Sequence, residues 1–111
     1  MDLQVVVKHI KSTFFAGISG RDAGEPFIII VGRFKEYTAQ ISNEGIYIFT
    51  VLEEKSKPDF PLPSGWKLEC SGGKRALVYE TKRLGKAPIQ VAEDIISEIK
   101  DIEKGDFNIG N

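Results

Sequence analysis

The stretch Ile46-Tyr-Ile-Phe-Thr-Val-Leu52, near the middle of the chain, decides the fold because it is apolar on both sides. Side chains of a strand alternate between its faces. Ile46, Ile48 and Leu52 therefore share one face, and Tyr47, Phe49 and Val51 share the other. Residues 27–31 (Phe-Ile-Ile-Ile-Val) also lack alternation, which is typical of a central strand covered on both sides. We expect that cover from helices, from closure into a barrel or from a partner subunit.

Turn signals on either side of this stretch divide the chain into short apolar segments. Three turns that contain Gly lie between pairs of such segments, at residues 19–26, 42–45 and 70–74. They predict three hairpins and a mostly antiparallel sheet. Residues 53–65 hold Pro58, Pro61 and Pro63 and cannot form a central strand, because proline donates no ladder hydrogen bond.

The clearest helix is predicted from Pro88 to Lys104, with Pro88 in the first turn and Gly105 as the stop. Its apolar stripe, at helical spacing, consists of Ile89, Ala92, Ile95, Ile96, Ile99 and Ile102. The N-terminal segment is ambiguous. Leu3, Val6, Val7, Ile10 and Phe14 suit a helix capped by Asp2, whereas the run of valines at 5–7 favours a strand. We expect the helix.

These patterns predict an α+β fold, in which an antiparallel meander sheet of five to six strands carries a C-terminal helix and an N-terminal helix. The alternative is a partial β-barrel closed by the C-terminal helix. The length of 111 residues predicts one domain over residues 1–105, followed by a tail at 106–111. No apolar run approaches the roughly 20 residues that span a bilayer, and no signal peptide is evident. We therefore expect a cytoplasmic protein without membrane association.

Few residues suit catalysis or metal binding. The chain has one cysteine, Cys70, and one histidine, His9, whereas a structural zinc site needs four ligands. His9 lies in no recognisable motif and is interpreted as a surface residue. Cys70 is interpreted as a small, half-buried apolar residue, although nearby Lys74 and Arg75 would suit a reactive thiolate. We expect no enzyme activity, no metal and no cofactor.

The net charge of −1 hides an uneven distribution. Residues 73–86 carry five basic side chains and one acid, and the residues after them carry six acids and two lysines. One interpretation is internal neutralisation, and the other is a basic binding face whose counter-charges point away. The candidate binding residues, basic or aromatic, are Arg33, Lys35, Tyr37, Trp66, Lys67, Lys74, Arg75, Tyr79, Lys82 and Arg83.

Three functions stay open at this point. The first is a non-catalytic binding or adaptor domain that acts through protein–protein contact, alone or as a homodimer, because two strands are apolar on both faces. The second is a single-stranded nucleic-acid binder that uses the basic hairpin 74–83, in which aromatic rings stack on bases and lysines meet phosphates. A pI of about 5.8 is low for that function. The third is a small enzyme or ligand-binding pocket.

Overall fold

The structure, a computed structural model, describes residues 2–20, 25–42, 44–52, 61–82 and 87–105. It contains two helices and six strands. In chain order these are α1 (Leu3–Ile10), β1 (Phe15–Ser19), β2 (Phe27–Val31), β3 (Glu36–Ile41), β4 (Gly45–Leu52), β5 (Trp66–Ser71), β6 (Lys74–Lys82) and α2 (Pro88–Glu103). The predicted α+β class is confirmed. The predicted tail at 106–111 lies outside the described residues.

The strands form a single antiparallel sheet in the order β1-β2-β3-β4-β6-β5. The three predicted hairpins are all present. Only the last one departs from a simple meander, because β6 pairs with β4 and leaves β5 at the edge. Among the described strands, β1 and β5 are the two edges, so the sheet does not close into a barrel.

Helix α1 confirms the expectation of an N-terminal helix. The Asp2 carboxylate accepts a hydrogen bond from the Gln4 backbone N–H at 3.0 Å and so caps the first turn. Val6, Val7 and Ile10 are buried on one side of the helix. Burial of that apolar side outweighs the strand preference of the valines, because propensity is a weak term beside tertiary packing.

Helix α2 begins at Pro88 as predicted and ends at Glu103, one residue before the predicted end. One member of its predicted stripe is wrong. Ile89 is 53% exposed, and Val91 is fully buried in its place. Ile89 lies in the first turn, beyond the ridge of side chains that meets the sheet and α1. The remaining five residues of the stripe are buried as expected.

Both helices pack on the same face of the sheet. The continuous core joins apolar side chains of α1 and α2 to Ile28, Ile30, Ala39 and Ile48, all of them fully buried. Within the described residues, no helix covers the opposite face. Cover was expected on both faces of the sheet, but the described helices cover only one face. The reason is that the two helices are adjacent and together span a single face.

The Glu103 side chain links the end of α2 to the β2–β3 turn through hydrogen bonds. Its carboxylate accepts the backbone N–H groups of Arg33 and Phe34, each at 3.0 Å, and the hydroxyl of Tyr37 at 3.2 Å. Tyr37 is fully buried, and burial followed by the charge of Glu103 strongly raises its pKa. An acid in the last helical turn opposes the helix dipole, so these three hydrogen bonds explain its position.

Candidate interaction surface

The uncovered side of the sheet, here called the open face, is defined by strand register. One row across it runs from Gly17 through Ile29, Thr38, Phe49 and Val78 to Lys67. Since side chains alternate, every second residue on each strand belongs to the same face. The other residues of the open face are Phe15, Ser19, Phe27, Val31, Glu36, Gln40, Gly45, Tyr47, Val51, Glu69, Ser71, Lys74, Ala76, Glu80 and Lys82.

Large apolar side chains on the open face are in contact with solvent. Phe15 is 83% exposed, Val51 is 56% exposed and Val31 is 45% exposed. The rings of Tyr47 and Phe49 lie 5.7 Å apart at a 52° tilt, next to Val78, which is only 1% exposed. The apolar residues form two groups, one on β1 and β2 and one on β4 and β6, separated by Glu36, Thr38 and Gln40 of β3. Clustered exposed apolar side chains are typical of interaction sites.

Charges on the open face are balanced. The described strands contribute three lysines (67, 74 and 82) and three glutamates (36, 69 and 80) to it. Lys67 and Glu69 form an ion pair with Nζ and Oε1 3.2 Å apart. Glu36 lies opposite Val31 on the neighbouring strand, and Glu80 lies opposite Tyr47. The other charged residues lie on β5 and at the two ends of β6. The positive charges of Lys74 and Lys82 are thus balanced by glutamates on the same face. The described strands therefore do not form a purely basic binding face.

The structure divides the candidate binding residues between two faces. Lys67, Lys74 and Lys82 lie on the open face, whereas Trp66, Arg75 and Tyr79 lie on the face that the helices cover. This division follows from the alternation of side chains along each strand. Tyr37 also lies on the covered face, with its ring centroid 6.5 Å from that of Trp66.

Three other candidates lie elsewhere. Arg33 and Lys35 belong to the β2–β3 turn, where the Arg33 guanidinium lies 5.2 Å from the centroid of the Phe34 ring. Arg83 is outside the described residues. The structure therefore does not bring the nine described candidates together into one patch.

The aromatic residues of the covered face surround an acid from α2. The Trp66 and Tyr79 rings have centroids 5.6 Å apart. Burial raises the pKa of Glu98, as does the nearby charge of Asp101, while the polar groups of Trp66 and Tyr79 lower it. The pKa of Tyr79 is also raised, first by burial and then by Glu98. This cluster is part of the packing between α2 and the β5–β6 hairpin.

His9 lies on α1 and Cys70 lies on β5. His9 Nε2 lies 3.2 Å from Oε1 of Glu93 and links α1 to α2. Cys70 is exposed, so its interpretation as a half-buried residue is wrong. It lies on the edge strand β5, of which only Trp66 is buried beneath α2. No group of three metal-ligating side chains occurs among the described residues.

A depression of about 880 Å³ lies at the end of the sheet near the β3–β4 turn. Its charged lining residues are Glu25, Glu44, Glu80 and Lys82, and it includes neither His9 nor Cys70.

Neither described helix is long and apolar enough to cross a membrane.

Sequence reasoning assigned Tyr47, Phe49 and Val51 to one strand face but did not assign them to a site. The missing signal was the position of the helices, because strand alternation separates two faces without saying which one is covered. Comparison with known proteins adds no assignment: no protein-family model matches the chain, and no curated protein or solved structure matches it significantly.

Proposed function

We propose that this protein is a non-catalytic binding domain that acts through protein–protein contact on its open face, with a second copy of the chain as the partner. The observation that carries the proposal is the uncovered sheet with exposed Phe15, Val31 and Val51. Burying apolar surface is favourable by about 25 cal/mol per Å², so burial of these exposed side chains favours association.

The size of the open face fits a dimer. Six strands with five residues each cover about 29 Å by about 17 Å, or roughly 500 Å² per copy. Two copies would bury about 1,000 Å², the lower limit for a specific interface. Two such faces can pack at a distance of about 10 Å with strands about 30° apart, as in other aligned sheet packings.

Its charges also fit a second copy. Equal numbers of lysines and glutamates give the open face no net charge, so two copies meet without net repulsion. A strongly charged face would instead favour a partner of opposite charge. The predicted homodimer is therefore the arrangement that the composition of this face supports.

The test is sedimentation equilibrium of the wild type and of the double variant Val31→Lys/Val51→Lys. We expect the wild type to dimerise and the double variant to be monomeric at the same concentration, because two unpaired charges would be buried in the interface. The matched control is Ile89→Lys, which changes an equally exposed apolar residue on α2. This control should dimerise like the wild type.

Two results would contradict the proposal. One is a wild type that stays monomeric up to millimolar concentration. The other is a double variant that dimerises as strongly as the wild type while its circular dichroism shows an intact fold.

Single-stranded nucleic acid is the second candidate ligand for the same face. The observation in its favour is that Lys67, Lys74 and Lys82 lie on the same side as Tyr47 and Phe49, whose rings could stack on bases. The three glutamates of the face act against it by repelling phosphates. An anisotropy titration with a labelled oligonucleotide at low and physiological salt separates the two functions, because phosphate contacts weaken steeply with salt.

A further inference from the structure

The β1 edge of the sheet differs from the β5 edge. Strand β1, at residues 15–19 (Phe-Ala-Gly-Ile-Ser), contains no charged residue and no proline. Strand β5 carries Lys67 and Glu69, paired at 3.2 Å. Edge strands are usually protected by charges or proline, because their unpaired N–H and C=O groups accept another strand. Of the two edges among the described strands, only β5 has this protection within its own sequence.

A groove runs between the β1 edge and α1. Gln4, Val7, Lys8 and Lys11 line it from α1 and the turn after it, and Gly17 and Ile18 line it from β1. Val7 and Ile18 are the apolar members, and Lys8 and Lys11 are exposed at the rim. None of the lining residues that the structure describes is an acid. The groove therefore combines an unprotected strand edge, apolar contacts and two positive charges.

We propose that this groove binds an extended acidic peptide, which adds to the sheet as an antiparallel or parallel neighbour of β1. In strand addition, main-chain hydrogen bonds supply affinity, and alternate side chains of the peptide enter the adjoining groove. Apolar side chains of the peptide would contact Val7 and Ile18, and its acidic side chains would meet Lys8 and Lys11.

The charges select this occupant over a second copy of the chain. Pairing of β1 with β1 of another copy would bring Lys8 and Lys11 of both copies together, and like charges at an interface are unfavourable. An acidic peptide meets the same lysines with opposite charge. Gly17 also leaves room on the open face, because a Cβ built there has no atom within 4 Å. A large side chain of the added strand can therefore pack over it.

The site adjoins the open face along β1 but depends on different groups. It uses the backbone edge of β1 and the outer side of α1, whereas the proposed dimer uses side chains that project from one sheet face. Loss of one function need not remove the other, so the two proposals fail independently.

The experiment is a titration of the ¹⁵N-labelled full chain, monitored by amide shifts, with an acetylated heptapeptide in which every second position is Glu or Val and the positions between are Ser. Glu and Val then share the strand face that meets the groove. We expect saturable shift changes confined to residues 15–19 and to α1, with none on β5. Lys8→Glu/Lys11→Glu should weaken binding about tenfold or more, since two attractive pairs become repulsive. The matched control is Lys100→Glu/Lys104→Glu, which reverses a last-turn lysine and the C-cap lysine of α2, the positions that Lys8 and Lys11 hold in α1. It should bind like the wild type because neither residue lines the groove.

Two further titrations separate the contribution of charge from that of strand pairing. Lys8→Gln/Lys11→Gln removes the charges without adding acids near the end of α1, and it should give an intermediate loss. A peptide methylated on every backbone nitrogen keeps its charge but has no main-chain donor on either edge, so it should not bind. Equal binding of the methylated and unmethylated peptides would overturn the proposal. So would undiminished binding to the Lys8→Glu/Lys11→Glu variant, or the absence of saturable shifts in the wild type.

Discussion

Replacing Glu103 by Ala should destabilise the fold by about 2.5 kcal/mol. The carboxylate accepts hydrogen bonds from Arg33 N, Phe34 N and the Tyr37 hydroxyl. A hydrogen bond to a charged group contributes about 1.5–3 kcal/mol. Arg33 is exposed, so water replaces its bond at little cost, and the other two bonds account for about 3 kcal/mol. Removing an acid from the C-terminal turn of a helix stabilises that helix by about 0.5 kcal/mol, which leaves a net loss of about 2.5 kcal/mol.

The assay is urea unfolding followed by the fluorescence of Trp66, the single tryptophan, which is buried in the core. With a slope near 1.5 kcal/mol/M, the midpoint should fall by about 1.7 M. Glu103→Gln keeps one acceptor oxygen and should cost less than Glu103→Ala. In a double-mutant cycle, Tyr37→Phe should cost less in the Glu103→Ala background than in the wild type, because its partner is already missing.

A loss below about 0.5 kcal/mol, the size of an ordinary surface substitution, would refute this account of Glu103. Additive costs in the cycle would refute the assigned contact with Tyr37. Measurements at low protein concentration keep self-association from contributing to the apparent stability.

Two other substitutions test the same packing. Gly32→Ala should destabilise by about 1–3 kcal/mol, because its Cβ would lie 2.5 Å from Oε2 of Glu103; Gly17→Ala, which meets no atom within 4 Å, is the control and should cost nothing on thermal denaturation. Glu98→Gln should raise the urea midpoint at pH 7. The pKa of Glu98 is raised in the folded state, so the protonated carboxyl stabilises the folded protein at low pH. This contribution to the free energy of unfolding is lost as the pH rises through the raised pKa. The difference between variant and wild type should therefore shrink below pH 4, and a constant difference would contradict the prediction.

Much of the fold followed from local patterns. Helical spacing located both helices, and Gly-containing turns located three hairpins. Strand alternation correctly separated the face of Ile46, Ile48 and Leu52 from that of Tyr47, Phe49 and Val51. The errors at Ile89 and Cys70 have a common cause. Each residue lies at the end or edge of its element, where neighbouring elements rather than the pattern determine burial.

The candidate surface was less predictable. Basic and aromatic residues close in sequence suggested one binding patch, but Tyr37 and Trp66 are buried beneath the helices. The groove beside β1 was not foreseen either. It joins α1 to an unprotected edge, and a sequence does not state which strand of a sheet lies at its edge.

The sequence by itself determined which side chains share a face and where the chain turns, because the spacing of apolar residues and the backbone preferences of Gly and Pro act over a few residues. Only the tertiary structure decided that both helices lie on one side of the sheet and that β1 and β5 are its edges. Those choices depend on contacts between distant segments, such as the hydrogen bonds from Glu103 to residues 33, 34 and 37. The same apolar alternation on β4 would suit a covered or an uncovered face, and the packing of α1 and α2 on one side is what leaves Phe49 and Val51 on the uncovered one.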